Sequence, residues 1–277
     1  MRRSSAPGSL RSWVFRCTLA LLVAFVLTSA PQGANASGRT NTLPTIVLVH
    51  GAWADSSSWD AVVPLPHHDG YRTITPDLTL TSIARDIATV RAVLDATPGP
   101  KILVAHSYGG IVISGAAFGR TDITALVYSA AFVPAAGDSI LTLGIGFHQS
   151  EAFNHLAFTG LPFASPAYIA PNLFAQYFAQ DLPPEQAATL DAAQQPLNFP
   201  IVLTPSGSVG WHTIPSWYAV SGSDKLIDPA EERWMVNRAG AHTVVYADSS
   251  HAGGITRYAR QFTALIEQAF TALIEQA

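Results

Sequence analysis

Residues 103–110 read Leu-Val-Ala-His-Ser-Tyr-Gly-Gly, a short apolar stretch that runs directly into a serine with small residues on both sides. A strand that turns sharply into a helix around a serine is a nucleophile elbow, which exposes the serine at the top of a sheet. The turn leaves little room two residues before and two residues after the serine. Ala105 and Gly109 occupy those positions, so the stretch predicts that Ser107 is a nucleophile.

A serine hydroxyl needs a base and an orienting acid before it can react, and two later segments offer them. His251 lies in the loop Asp-Ser-Ser-His-Ala-Gly-Gly at 248–254, and histidine is the side chain best suited to move protons near neutral pH. Asp224 follows the Ser-Gly-Ser that ends another strand-like run. The order serine, acid, histidine is typical of a site built on a nucleophile elbow. Ser107, Asp224 and His251 are therefore the candidate catalytic triad.

Asp228 is the alternative acid, because it comes only four residues after Asp224. It precedes Pro229 and Glu231, a pattern typical of the residue that caps the start of a helix. We therefore favour Asp224 as the orienting acid and expect Asp228 to cap the helix that follows.

Backbone N–H groups that could bind an oxyanion are predicted at two turns. The first belongs to Tyr108, the residue after the candidate nucleophile. The second belongs to Ala52, because the apolar strand before it ends in His50 and Gly51, and glycine allows a sharp turn. The alternative is that these two residues only end a strand. We expect His50 itself to hold the loop by hydrogen bonds rather than to carry a proton.

Five segments spread over nearly all of residues 43–269 have the character of one known family. They read Val47-Leu-Val-His-Gly-Ala-Trp53, Ala105-His-Ser-Tyr-Gly-Gly110, Ala130-Ala-Phe-Val-Pro134, Ile214-Pro-Ser-Trp-Tyr218 and Ser249-Ser-His251. Together they resemble the α/β-hydrolase superfamily, and within it the bacterial esterases related to plant methyl-salicylate esterases and hydroxynitrile lyases. The resemblance implies the same triad, the same two amide donors and an α/β-hydrolase fold.

The resemblance implies a serine hydrolase, most simply a carboxylesterase that cleaves small or medium apolar esters through an acyl-enzyme intermediate without a cofactor. Hydroxynitrile lyases of this family carry a lysine directly after the catalytic histidine, where this chain has Ala252. We therefore expect ester hydrolysis, with carbon–carbon lyase chemistry and a catalytically inactive binding protein as the two alternatives. The five segments indicate the fold and the triad, but they do not identify the ester.

The first 36 residues differ in kind from the rest and predict a secretory signal peptide. Arginines without acidic residues come first, the 14 residues of 17–30 are uncharged and mostly apolar, and Ala34-Asn-Ala36 offers a cleavage site. An uncleaved membrane anchor is the alternative, but so short an apolar run does not span a bilayer comfortably. We expect cleavage after Ala36, a linker over 37–44, and a secreted or periplasmic protein without stable membrane association.

Composition excludes several kinds of partner for the mature chain. Its formal charge of −4 becomes −8 when the four arginines of the signal peptide are removed, which disfavours nucleic acid and anionic membrane surfaces. The sole cysteine, Cys17, lies in the removed part, so no intramolecular disulfide is expected. The histidines lack the spacing of a zinc site, and we expect no metal. A small-molecule ester is the expected partner, and the oligomeric state stays open.

Residues 45–277 alternate strand-like and helical patterns, which predicts one α/β-hydrolase domain with a mostly parallel central sheet and helices on both faces. Strands are expected near 45–50, 71–75, 101–106, 123–131, 216–221 and 242–248, and helices near 58–66, 82–96, 108–118, 229–239 and 255–275.

The alternation stops over about 134–213, a segment rich in aromatic residues and proline. This segment predicts a helical cap that forms an apolar pocket above the elbow. We expect its residues His148, His155 and His212 to lie at the surface or in the cap, outside the site.

For two of these helices, the sequence predicts which residues are buried and which face solvent. In the helix over 82–96, the apolar positions are expected to be buried, Ala92 among them, and Asp86 is expected to face solvent. The last helix ends in a repeat, because Phe-Thr-Ala-Leu-Ile-Glu-Gln-Ala at 262–269 recurs at 270–277. The apolar face of the second copy is expected to have nothing to pack against.

Overall fold

The computed structural model describes residues 43–275, with side chains up to residue 272. The predicted signal peptide, its cleavage site and all but the last two residues of the predicted linker lie outside this range. Within it, none of the helices combines the length and the hydrophobicity that crossing a bilayer requires.

Nine strands in the described range form two sheets. They are β1 (Thr45–Val49), β2 (Thr73–Ile74), β3 (Lys101–His106), β4 (Ile123–Ser129), β5 (Leu156–Phe158), β6 (Pro166–Ile169), β7 (Leu197–Asn198), β8 (Ser216–Ser221) and β9 (His242–Tyr246). Six of them pair in parallel in the order β2-β1-β3-β4-β8-β9 and form the central sheet. Strands β1, β3 and β8 are buried along their whole length, as strands covered on both faces must be. The predicted parallel sheet is confirmed, with all six strands near their expected positions.

Eight α-helices accompany these strands in the described range. They are α1 (Pro64–His68), α2 (Ile83–Ala96), α3 (Gly109–Ala117), α4 (Ile140–Leu143), α5 (Pro171–Phe178), α6 (Pro184–Ala192), α7 (Pro229–Ala239) and α8 (Ala259–Glu275). The prediction of one helix near 58–66 is wrong, because that stretch holds a 3₁₀ turn that ends at Trp59 and then α1. Pro64 lacks an N–H donor and its ring clashes inside a helix, so it can only begin one. The other predicted helices are present, and α8 begins a few residues later than expected.

The central sheet separates two apolar cores. Alternate side chains of a strand point to opposite faces, so Val47 and Val49 of β1 join one core and Ile46 and Leu48 join the other. Helices α2, α3 and α7 cover the first face, and α8 covers the second through side chains such as Phe262. The sheet is therefore covered on both sides, and its carboxyl edge is left for the loops that follow the strands.

In helix α2, the burial of two residues differs from the expectation. Ala92 is exposed and Asp86 is fully buried, the reverse of the expectation. The Asp86 carboxylate accepts hydrogen bonds from the backbone N–H and hydroxyl of Thr79, from the N–H of Leu80 and from the hydroxyl of Tyr108. Its burial is tolerated because both carboxylate oxygens have partners.

Residues 134–213 form a cap that combines helices with the second sheet. Strands β5, β6 and β7 pair antiparallel in that order, beside α4, α5 and α6. The cap contains the predicted helices and, in addition, a three-stranded sheet that the sequence does not predict. These strands have only two to four residues, too few to show an alternating pattern, and β6 begins at a proline. The cap histidines His148, His155 and His212 are exposed, as expected.

The repeated tail of α8 is partly covered. Phe270, the first residue of the second copy, meets the ring of Tyr71 edge-on with 6.0 Å between ring centroids. The expectation that this copy has nothing to pack against is therefore wrong for Phe270. Its later apolar residues, Leu273 and Ile274, lie beyond the described side chains.

Candidate active site

Ser107 lies at the tip of the turn between β3 and α3. Its φ is 55°, in the left-handed region that residues other than glycine seldom adopt. The turn is held on both sides, because the Ser107 N–H donates to the carbonyl of Ser129 and the Ser107 carbonyl accepts from the N–H of Phe132. A Cβ at Gly109 would come within 2.5 Å of the carbonyl oxygen of Val49. The turn thus requires the small residue that the sequence places there.

The structure brings together the three side chains that the sequence selected as the candidate triad. Nε2 of His251 lies 2.8 Å from Oγ of Ser107, and Nδ1 lies 2.6 Å from Oδ2 of Asp224. All three residues are buried. The other carboxylate oxygen of Asp224 accepts the N–H groups of Leu226 and Ile227, at 2.7 and 3.1 Å. With Nδ1–H donating to a fixed carboxylate, Nε2 can accept a proton from the serine.

Asp228 has a different position, at the start of α7. Its Oδ1 accepts the N–H of Ala230 and caps the helix, while its Oδ2 accepts the N–H of His148 from the cap. The prediction that Asp228 is a helix cap is confirmed, and its carboxylate is already engaged away from His251.

The backbone N–H groups of Ala52 and Tyr108 donate to no acceptor within residues 43–275. Both residues are buried and line one pocket together with Ser107. The loop after β1 passes in contact with the serine, because a Cβ at Gly51 would lie 2.7 Å from Cβ of Ser107. The two amides lie where the sequence places the candidate oxyanion donors.

His50 holds this loop in place. Its Nε2 accepts the N–H of Leu78 at 2.8 Å, and its Nδ1–H donates to the Gly51 carbonyl at 2.9 Å. Burial lowers the pKa of His50, so the neutral imidazole that these hydrogen bonds need is favoured. This arrangement agrees with a structural role for His50 in the loop.

A second carboxyl group, Glu232 of α7, lies behind Asp224 and was not predicted. Its Oε2 accepts the N–H of Ser221 at 3.1 Å, while its buried Oε1 has no hydrogen-bond partner among the described residues. Burial, and next the negative charge of Asp224, raise the pKa of Glu232 well above its usual range. This environment therefore favours the protonated form of Glu232. In the sequence it is only one of two acidic residues early in a helix, where such residues are common.

Two rings pack against the imidazole of His251. Phe178 of the cap meets it edge-on at 4.9 Å between centroids, and His106 of β3 lies at 4.7 Å. Nε2–H of His106 donates to the His251 carbonyl at 2.9 Å. Burial, and next the neighbouring His251, lower the pKa of His106 well below its usual range. His106 is therefore a neutral support that fixes the backbone of His251.

Ser107 faces a pocket under the cap. Apart from Ser107 and His251 the lining is apolar, and it includes Trp53 of the loop after β1. Trp53 has a φ of 56°, and its Nε1–H donates to the Ala167 carbonyl of β6, which ties the wall of the pocket to the cap. Between residues 43 and 275, no three histidine, cysteine or acidic side chains come together as they would around a metal ion. The pocket suits an apolar ligand with one reactive polar centre.

The sequence of the chain matches a known protein family. The pattern of the Alpha/beta hydrolase family matches residues 46–264, and the chain belongs to that family. The resemblance to α/β hydrolases seen in the sequence is therefore confirmed.

Two characterised relatives share part of the sequence. The pyrethroid hydrolase of Sphingobium wenxiniae is 34% identical over 108 residues, which cover 35% of this chain and 39% of the relative. The carbendazim hydrolyzing esterase of a Nocardioides species is 34% identical over 116 residues, 36% of this chain and 47% of the relative. The chain thus matches less than half the length of either one. A methylesterase from Arabidopsis has a similar fold, with a TM-score of 0.69 at 19% identity over 83% of this chain and 99% of its own.

Proposed function

We propose that the protein is a serine carboxylesterase that cleaves small or medium apolar esters through an acyl-enzyme intermediate. The observation that carries the proposal is the chain of hydrogen bonds from Ser107 Oγ to His251 and from His251 to Asp224, at 2.8 and 2.6 Å. Its position at the base of an apolar pocket supports an apolar substrate. The names of the two partial relatives, a pyrethroid hydrolase and an esterase, support an ester as the bond that is cleaved.

In the proposed acylation step, Ser107 Oγ attacks the ester carbonyl carbon while His251 Nε2 takes the hydroxyl proton. The carbonyl oxygen becomes an oxyanion, which the N–H groups of Ala52 and Tyr108 stabilise. The tetrahedral intermediate then collapses, and His251 returns the proton to the leaving alcohol. Asp224 fixes the imidazole tautomer and stabilises the imidazolium, as in other serine triads. Deacylation repeats the sequence with water as the nucleophile and releases the carboxylic acid and free Ser107.

Hydroxynitrile-lyase chemistry is the weaker candidate. Ala252 follows the candidate base, and its N–H donates to the Phe178 carbonyl. Neither lysine of the chain is at the pocket: Lys101 pairs with Asp122 at the start of β3, and the exposed Lys225 is absent from the described lining. A catalytically inactive binding protein is also disfavoured, because it would not need a hydrogen-bonded base and acid beside the serine.

The proposal includes export of the protein, which is supported by the sequence of residues 1–36. The test is the N-terminal sequence of the protein recovered from periplasm and medium after expression in a bacterium. Export predicts a chain that begins at Ser37. A full-length chain retained in the cytosol would contradict this part.

The proposed chemistry is tested with p-nitrophenyl esters from acetate to palmitate, using the full chain and its Ser107→Ala variant. The account predicts that the variant loses about 10⁴–10⁶ in turnover. The control is Ser208→Ala, which removes an exposed hydroxyl and should leave the rate unchanged. Cyanide release from mandelonitrile is measured in parallel. Near-full esterase activity in Ser107→Ala, or cyanide release without ester cleavage, would overturn the proposal.

A further inference from the structure

The pocket at Ser107 adjoins a second space, which is lined by residues of the cap and of α7. The two spaces share five apolar side chains: Phe132, Ile140, Phe153, Val202 and Leu226. To reach the second space, one end of a ligand whose carbonyl carbon is at Ser107 must pass along these apolar side chains. The lining of the second space also includes polar residues, which are His148, Gln149, Ser150 and Glu231 of α7.

Glu231 is only 4% exposed, yet within the described range its Oε1 has no hydrogen-bond partner and its carboxyl forms no ion pair. Burial, and next the negative charges of Asp228 and Asp224, raise the pKa of Glu231 to about 8. The remaining titratable group on this cavity is His148 of the cap. A buried polar group without a hydrogen-bond partner costs stability. The helix dipole favours an acid in the first turn, but it favours an exposed acid equally and so does not explain this one.

We propose that Glu231 binds an amino group on the substrate, so that the preferred esters are apolar near the carbonyl and carry an amine at the far end. An ammonium group donates to the unpartnered Oε1 and supplies the positive charge that the carboxyl lacks. Binding then ionises Glu231, and the released proton goes to solvent. This inference rests on the proposed esterase function and adds the substrate class to it.

The test uses two pairs of esters matched in length. In the first pair, p-nitrophenyl heptanoate and p-nitrophenyl 6-aminohexanoate, the amine is on the acyl part. In the second pair, hexyl acetate and 5-aminopentyl acetate, it is on the alcohol. For each pair the ratio of kcat/KM, amino ester over alkyl ester, is measured for the full chain, for Glu231→Leu and for Glu231→Gln. Glu185→Gln, which changes an exposed carboxyl of the cap, is the matched control.

The inference predicts that one pair shows a ratio at least about tenfold lower in both variants, equivalent to about 1.4 kcal/mol. The alkyl esters should change by less than about threefold, since their terminal methyl group forms neither a hydrogen bond nor an ion pair with the carboxyl. Glu231→Gln preserves the shape of the side chain and keeps the test usable if Glu231→Leu does not fold. Ratios that stay constant in both pairs would overturn the inference and leave the esterase proposal intact. A wild-type protein that cleaves none of the four esters would instead refute the esterase proposal.

Discussion

The hydroxyl of Tyr108 donates a hydrogen bond to the buried carboxylate of Asp86, with 2.8 Å between the two oxygens. This bond ties the residue after Ser107 to the first turn of α2. The other carboxylate oxygen of Asp86 is held by Thr79 and Leu80, so the anchor itself is fixed. Tyr108 also supplies one of the two proposed oxyanion donors. The bond therefore connects the position of that donor to the packing of α2.

Replacing Tyr108 by phenylalanine should reduce kcat about tenfold with little change in KM. The backbone donor remains in this variant, but its position is less fixed, so the loss is smaller than the 10²–10³-fold expected when a donor is removed. Steady-state kinetics on a p-nitrophenyl ester give the two constants. Tyr258→Phe, on the far side of the sheet, is the control. A lower melting temperature with unchanged kcat would show that the bond serves stability alone.

Gly51→Ala should abolish most activity, because the added methyl group would overlap Cβ of Ser107 at 2.7 Å. The loop that carries the N–H of Ala52 must then move away from the serine. Gly207→Ala is the matched control, since a methyl group there meets no atom within 4 Å. Circular dichroism and ester turnover are measured for both variants. Equal activity in the two would contradict the proposed role of the Ala52 amide.

Glu232→Gln should reduce the loss of stability that occurs as the pH rises. The unfolded chain releases the proton of Glu232 near its ordinary pKa of 4.5, while the folded protein keeps it because burial and Asp224 raise that pKa. Stability therefore falls with rising pH between the two values, and glutamine lacks this contribution. The difference in the free energy of unfolding between variant and wild type should grow in favour of the variant from pH 5 to pH 8. Urea titrations measure it, with Glu185→Gln as the control. A difference independent of pH would show that Glu232 is ionised in the folded protein.

Deletion of residues 270–277 should leave ester turnover intact and lower the free energy of unfolding by about 1–2 kcal/mol. The loss comes from the edge-on contact between Phe270 and Tyr71 and from partial apolar burial. Residues up to Ala269 keep the buried face of α8. Urea unfolding and turnover of the truncated chain check this. A truncated protein that fails to fold would contradict it.

The fold was predictable wherever apolar patterns were long. Strands β1 and β3 are continuous apolar runs, and the elbow between β3 and α3 has steric rules that leave few alternatives. The strands of the cap are harder to predict, because β5, β6 and β7 are too short to show a period and β7 pairs with β6 across the intervening helices α5 and α6. The prediction of one helix over 58–66 is wrong at Pro64, because proline can begin a helix but is not accommodated inside one.

At the site, chain order led to Ser107, Asp224 and His251, and local turn chemistry separated Asp224 from Asp228. The sequence missed the carboxyls whose environment comes from other elements. The sequence predicts Asp86 on the solvent face, because the groups that donate hydrogen bonds to its carboxylate lie in a preceding loop and in Tyr108. Glu232 was missed because the first turn of a helix favours acids whether or not they are buried. Such residues can be recognised only when the burial of their side chains and their hydrogen-bond partners are known.

The central claim, that Ser107 is an activated nucleophile, is tested most directly by reaction with a fluorophosphonate followed by intact-mass measurement and peptide mapping. The account predicts one adduct, located on Ser107, absent from Ser107→Ala and formed much more slowly in His251→Ala. Folded wild-type protein that gains no adduct, or an adduct on another residue that persists in Ser107→Ala, would contradict it.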